Sequence, residues 1–133
     1  MTFRSTGQAR EEDGNEALLI VRSIPMDTIA IKLDPDRLAN PVADMRYILP
    51  DVLAERSGGV IQDDGYDYVG PSNFMVVFLK VSDVDRAMSC ITDVITNVRV
   101  LENDLRTGAT VAIQRGDKFV VAYPADSQEE FVV

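Results

Sequence analysis

From Phe74 to Val81 the chain reads Phe-Met-Val-Val-Phe-Leu-Lys-Val, with Lys80 the one polar position. A strand sends alternate side chains to opposite faces, so Phe74, Val76 and Phe78 share one face and Met75, Val77, Leu79 and Val81 the other. Apolar residues on both faces predict an interior strand covered on both sides. Immediately afterwards the period changes. Val84, Ala87, Met88, Ile91, Val94, Ile95 and Val98 recur at helical spacing and predict one buried stripe, with Asp85, Arg86, Ser89, Thr92, Asp93 and Thr96 on the wet side. Ser82 is the expected N-cap, and Asp83 and Asp85 sit where the helix dipole favours negative charge.

The same reading extends outwards from this pair. Ala17 to Ser23 is rich in branched residues and predicts a first strand, which Pro25 interrupts. Thr28 to Leu33 resumes the extended pattern, as a bulged continuation or a separate edge strand. Arg37 to Ala39, between turn signals, suits a single helical turn. A longer helix is predicted within residues 42–57, with Met45, Ile48, Leu49, Val52 and Leu53 at helical spacing. Pro50 allows two versions, a helix kinked there or a short helix with Pro50 in its first turn; the second suits proline better. Gly58-Gly59 ends it.

Val60 to Gln62 and Tyr66 to Val69 are strand-like, with Asp64-Gly65 a tight turn or bulge between them. Arg99 to Leu101 could start a strand. Ala109 to Gln114 and Lys118 to Tyr123 predict a hairpin around Arg115-Gly116-Asp117.

The expected fold class is α+β: a ferredoxin-like antiparallel sheet with two helices on one face, extended by a C-terminal β-hairpin. Residues 17–124 form the expected single domain. Residues 1–16 are expected to be a disordered polar segment and 125–133 an acidic tail ending Phe131-Val-Val. Two helices cannot cover both faces of the Phe74–Val81 strand. Phe74, Val76 and Phe78 are therefore interface candidates, to be covered by the C-terminal strands, the tail or a second copy in a homodimer.

Charge narrows the range of partners. The 133 residues carry 22 acidic and 13 basic side chains, a formal net charge of -9. That balance opposes nucleic acid and anionic membranes, and favours a basic protein partner. The chain has no histidine, which removes imidazole acid–base catalysis, the Ser-His triad and imidazole metal ligation. No phosphate-binding glycine loop occurs. An RNA-recognition strand would need a basic residue, a glycine and alternating aromatics, and Pro71 to Phe78 lacks the first two. Cys90 is the one cysteine, so no intrachain disulfide can form. It reads as a partly buried, inert thiol in a reducing compartment. With no apolar run of about 20 residues and no leader-like segment, a cytoplasmic protein is expected.

One cluster invites a functional reading: Asp63, Asp64, Tyr66, Asp67 and Tyr68 around Gly65. Three carboxylates could hold a hard cation, but the spacing is not that of a calcium loop. The plain alternative is a solvated hairpin tip whose tyrosines cover the sheet edge. A protein-binding hot spot also fits, since tyrosine gives large contact area at low entropy cost and the acids give complementarity. Asp27 reads as a turn residue rather than a nuclease carboxylate. The leading expectation is a non-catalytic, acidic interaction domain of inhibitor or immunity type, binding a basic partner and needing no cofactor or metal. The alternatives are a dimeric ligand-binding or regulatory domain, and a metal-dependent hydrolase using Asp63, Asp64 and Asp67.

Overall fold

The computed structural model describes residues 26–71, 73–125 and 131. The strand expected at 17–23, the segment 1–16 and most of the tail lie outside these residues. The elements are β1 (Asp27–Leu33), α1 (Met45–Arg56), β2 (Ile61–Val69), β3 (Phe74–Val81), α2 (Val84–Asn97), β4 (Ala109–Arg115) and β5 (Lys118–Tyr123). The architecture is α+β, one five-stranded antiparallel sheet in the order β2-β3-β1-β4-β5 with two helices. No helix among the described residues is long and apolar enough to cross a membrane.

Strand β1 occupies the centre of the sheet, where the sequence suggested an edge or a continuation. Ile29 registers with Leu79 and Ile113, Ile31 with Val77 and Val111, and Leu33 with Met75 and Ala109. These residues, apart from the half-buried Ile113, are buried in one core with Met45, Leu49 and Leu53 of α1 and Ala87, Ile91, Val94 and Ile95 of α2. Both helices therefore pack on the same sheet face. Ala30, between Phe78 and Ala112 in register, lies on the other face.

Helix α1 runs without interruption from Met45 to Arg56, with Pro50 inside it. A helix beginning at Pro50 is thus corrected. Proline has no N–H to give to the Arg46 carbonyl one turn back. Burial of Met45, Leu49, Pro50 and Leu53 along one stripe offsets that loss. Helix α2 is capped by Asp83, not Ser82: Asp83 is extended and its Oδ1 accepts from the Arg86 N–H at 3.1 Å. Ser82 is still part of the sheet margin, its N–H donating to the Val60 carbonyl at 3.1 Å.

The second sheet face is not bare. Val76, a sequence-based interface candidate, has no exposed surface, and Phe74 and Phe78 are half-buried. Ala30, Val76 and Ala112 are covered by Phe131, with Phe78, Phe119 and Val121 packed around them. Of the three covers considered from the sequence, β5 and the tail supply this one, so Val76 is corrected from surface to core.

Two loops meet beside α1. Asp34 N–H donates to the Gly108 carbonyl at 2.9 Å. A Cβ on Gly108 would lie 2.7 Å from Leu38 Cδ2 and 3.3 Å from the Arg37 carbonyl oxygen. Gly108→Ala is therefore expected to lower stability by about 1–2 kcal/mol through overpacking, read as a lower urea midpoint at unchanged m-value.

Candidate protein-interaction surface

Strand β2 is an edge of the sheet and is exposed along most of its length. Its register against β3 shifts between Asp63 and Tyr66, where Gly65 adopts φ of 99°. This is a bulge, which glycine makes cheaply because it has no Cβ. The candidate residues therefore lie within a bulged edge strand, correcting the hairpin-tip reading.

The bulge also resets the faces. In a regular strand Asp63 and Tyr66, three apart, would point to opposite sides. Here Asp63 registers with Leu79, Tyr66 with Val77 and Tyr68 with Met75, all on the helix-covered face of β3. Asp67 registers with Val76 on the other face. Asp64 reaches Lys80, with Oδ1 3.9 Å from Nζ. The three carboxylates do not converge. Asp63 Oδ1 accepts from the Gly65 N–H at 2.9 Å, and Asp67 Oδ1 from the Tyr68 N–H at 2.8 Å. Among the described residues no group of three or more His, Cys, Asp or Glu side chains is placed to hold a metal ion. Asp27, exposed at the start of β1, belongs to no such group.

The tyrosines do come together, and α1 joins them. Tyr66 stands edge-on to Tyr68 and to Tyr47, with ring centroids 6.1 Å apart in both pairs. Such T-shaped pairs set the positive ring edge against the negative face. The Arg46 guanidinium lies 4.6 Å from the Tyr47 ring centroid and 5.0 Å from that of Tyr66. Its Nη1 donates to the Ala43 carbonyl at 3.3 Å. The Tyr47 side chain, and after it that of Tyr68, pushes the guanidinium still further above its ordinary range. The Arg46 guanidinium thus bridges α1 and the tyrosine row through its two ring contacts.

Beyond Tyr68 the surface opens into a cleft of about 170 Å³, lined by Leu33, Leu38, Pro41, Val42, Met45 and Tyr68 among others. Asp44, just before α1, and Asp51, on it, are exposed near Tyr47. The result is an aromatic and aliphatic patch rimmed by Asp44, Asp51 and Asp63, with Asp64 drawn to Lys80 and Asp67 on the opposite face.

Arg46 and Tyr47 were not singled out from the sequence. The available signal was the helical wheel: with Met45, Leu49, Pro50 and Leu53 buried, Tyr47, Ile48 and Asp51 must face outwards. Cys90 is half-buried on α2, with Sγ 4.0 Å from the Leu53 carbonyl oxygen. Burial first, and the Asp93 carboxylate second, push its thiol above the ordinary range. A raised thiol is a poor nucleophile at neutral pH.

No family model, curated protein or solved structure matches the chain.

Proposed function

We propose that this chain is a non-catalytic protein-interaction domain, of inhibitor or immunity type, that meets a basic partner through the α1–β2 surface. One observation carries the reading. Of the seven large apolar side chains exposed among the described residues, four lie together there: Val42, Tyr47, Tyr66 and Tyr68. Isolated exposed apolar residues are ordinary, whereas a contiguous patch with a polar rim marks an interface. Tyrosine and arginine are the side chains most enriched in binding hot spots. The carboxylate rim and the net charge of -9 favour a cationic partner.

The contact is made by side chains and not by an added strand. The Gly65 and Tyr68 amides are already taken by Asp63 and Asp67. The bulge breaks the flat ladder a new strand would need. The scaffold is read as the ferredoxin-like plan with β5 as a hairpin extension. Helices following β1 and β3, and the order β2-β3-β1-β4, support that reading. A lone thiol on α2 is consistent with a reducing, cytoplasmic setting.

The test is quantitative co-purification from the source cell with the intact chain and with Tyr66→Ala. Tyr66 is 42% exposed, so the variant keeps its core. A basic protein retained by the parent, lost about tenfold or more in Tyr66→Ala and released by moderate salt, is expected for a hot-spot residue. Equal retention by both forms would overturn the assignment of this surface.

A further inference from the structure

The face opposite the helices holds a second feature, unconnected with the tyrosine patch. Ala30 of β1 and Ala112 of β4 are direct neighbours in register. Two small side chains side by side leave a depression in a sheet face otherwise lined by larger ones. Phe78 on β3, and Phe119 and Val121 on β5, stand around it. The Phe131 ring fills the depression and is only 7% exposed. Its centroid is 5.6 Å from that of Phe119, and the Lys32 ammonium lies 4.6 Å from it. Lys32 also lies 5.8 Å from the Phe74 ring centroid. A cation over one ring face and a tilted aromatic neighbour make a specific seat for an aromatic side chain.

We propose that this depression is an aromatic-residue binding site, occupied by the chain's own Phe131 and able to take the same segment supplied in trans. The site is separate from the main core: Ala30, Val76, Ala112 and Phe131 form a buried cluster of their own. Glu129 and Glu130 precede Phe131 in sequence, so the ligand class is an acidic segment carrying an aromatic residue. Beside the ring, a cleft of about 510 Å³ lined by Lys32, Arg37, Phe74, Thr107, Thr110 and Phe131 among others leaves room for more of such a segment. Tethering gives the internal residue a high effective concentration, on the order of millimolar. A free copy should therefore compete poorly with the intact chain and bind well when Phe131 is removed.

The experiment titrates full-length Phe131→Ala with a synthetic peptide of residues 125–133, observed by backbone amide NMR. Saturable shifts at Ala30, Lys32, Val76 and Ala112 are expected, at least tenfold tighter than with the same peptide carrying Ala at 131. No shifts at these positions, or equal binding of both peptides, would overturn the proposal. A second measurement covers the case in which Phe131→Ala does not fold. A fluorine label on the Phe131 ring of the otherwise intact chain should move towards a free-ring resonance once unlabelled peptide is about tenfold above the millimolar effective concentration of the tethered ring. A label unmoved at that excess would reject exchange. Because the Tyr66 surface lies elsewhere, either outcome leaves the partner-binding test untouched.

Discussion

Leu53→Ala is expected to destabilise the fold by about 3–4 kcal/mol, within the range for a fully buried leucine. Leu53 has no exposed surface and belongs to the core that joins both helices to β1 and β3. Ile48→Ala provides the contrast. Sequence spacing places Ile48 on the same apolar stripe, yet it is 36% exposed. Its replacement is expected to cost about 1 kcal/mol or less. Urea unfolding of both variants checks the pair. A loss at Ile48 as large as at Leu53 would mean that α1 is rotated from the orientation described.

That contrast marks where periodicity works. Helix α2 was legible because its stripe is uninterrupted, and the buried residues Ala87, Ile91, Val94 and Ile95 were all named from spacing. Its cap was displaced by one residue because Ser82 spends its amide on Val60, a partner 22 positions earlier in the chain. The orientation of α1 was less legible. Its apolar content is high on every side, and deciding whether Pro50 begins or interrupts the helix depends on burial of the proline itself. For the same reason Tyr47 was overlooked. The stretch from Asp63 to Tyr68 was recognisable by composition. Its geometry was not, since a bulge changes which residues share a face and local sequence offered turn and bulge equally. The cover of the second face was foreseen only as a need. That Phe131 meets it depends on two alanines falling opposite each other on strands far apart in sequence.

Asn103→Ala is expected to cost about 2–3 kcal/mol. Asn103 is fully buried. Its Oδ1 accepts from the Asn40 N–H at 2.7 Å and its Nδ2 donates to the Asn40 carbonyl at 2.8 Å, joining segments 63 residues apart. Asn40 Nδ2 completes the junction, donating to the Leu101 carbonyl at 3.1 Å. Alanine would leave the half-buried Asn40 N–H without its partner and the Asn40 carbonyl with only the Val42 N–H at 2.8 Å, and an unsatisfied polar group costs about 1–3 kcal/mol. The loop is held against its own preferences: Leu101 and Glu102 have φ of 49° and 70°, where side-chain-bearing residues are strained. Val100 and Asn103 exchange backbone hydrogen bonds across that turn at 2.9 and 3.2 Å. Asn103→Asp separates the donor from the acceptor. The carboxylate can still accept from Asn40 N–H, but ionised it faces the Asn40 carbonyl with no proton to donate. Its folded pKa is therefore raised above the unfolded value of about 3.9. Stability is fully retained below that unfolded value, where the acid can donate, and is lost as pH rises through the raised folded pKa. Relative to the parent chain, the urea midpoint of Asn103→Asp should thus fall between acid and neutral pH, while that of Asn103→Ala stays low throughout. A pH-independent deficit in the Asp variant would show that the Asn40 carbonyl does not need this donor.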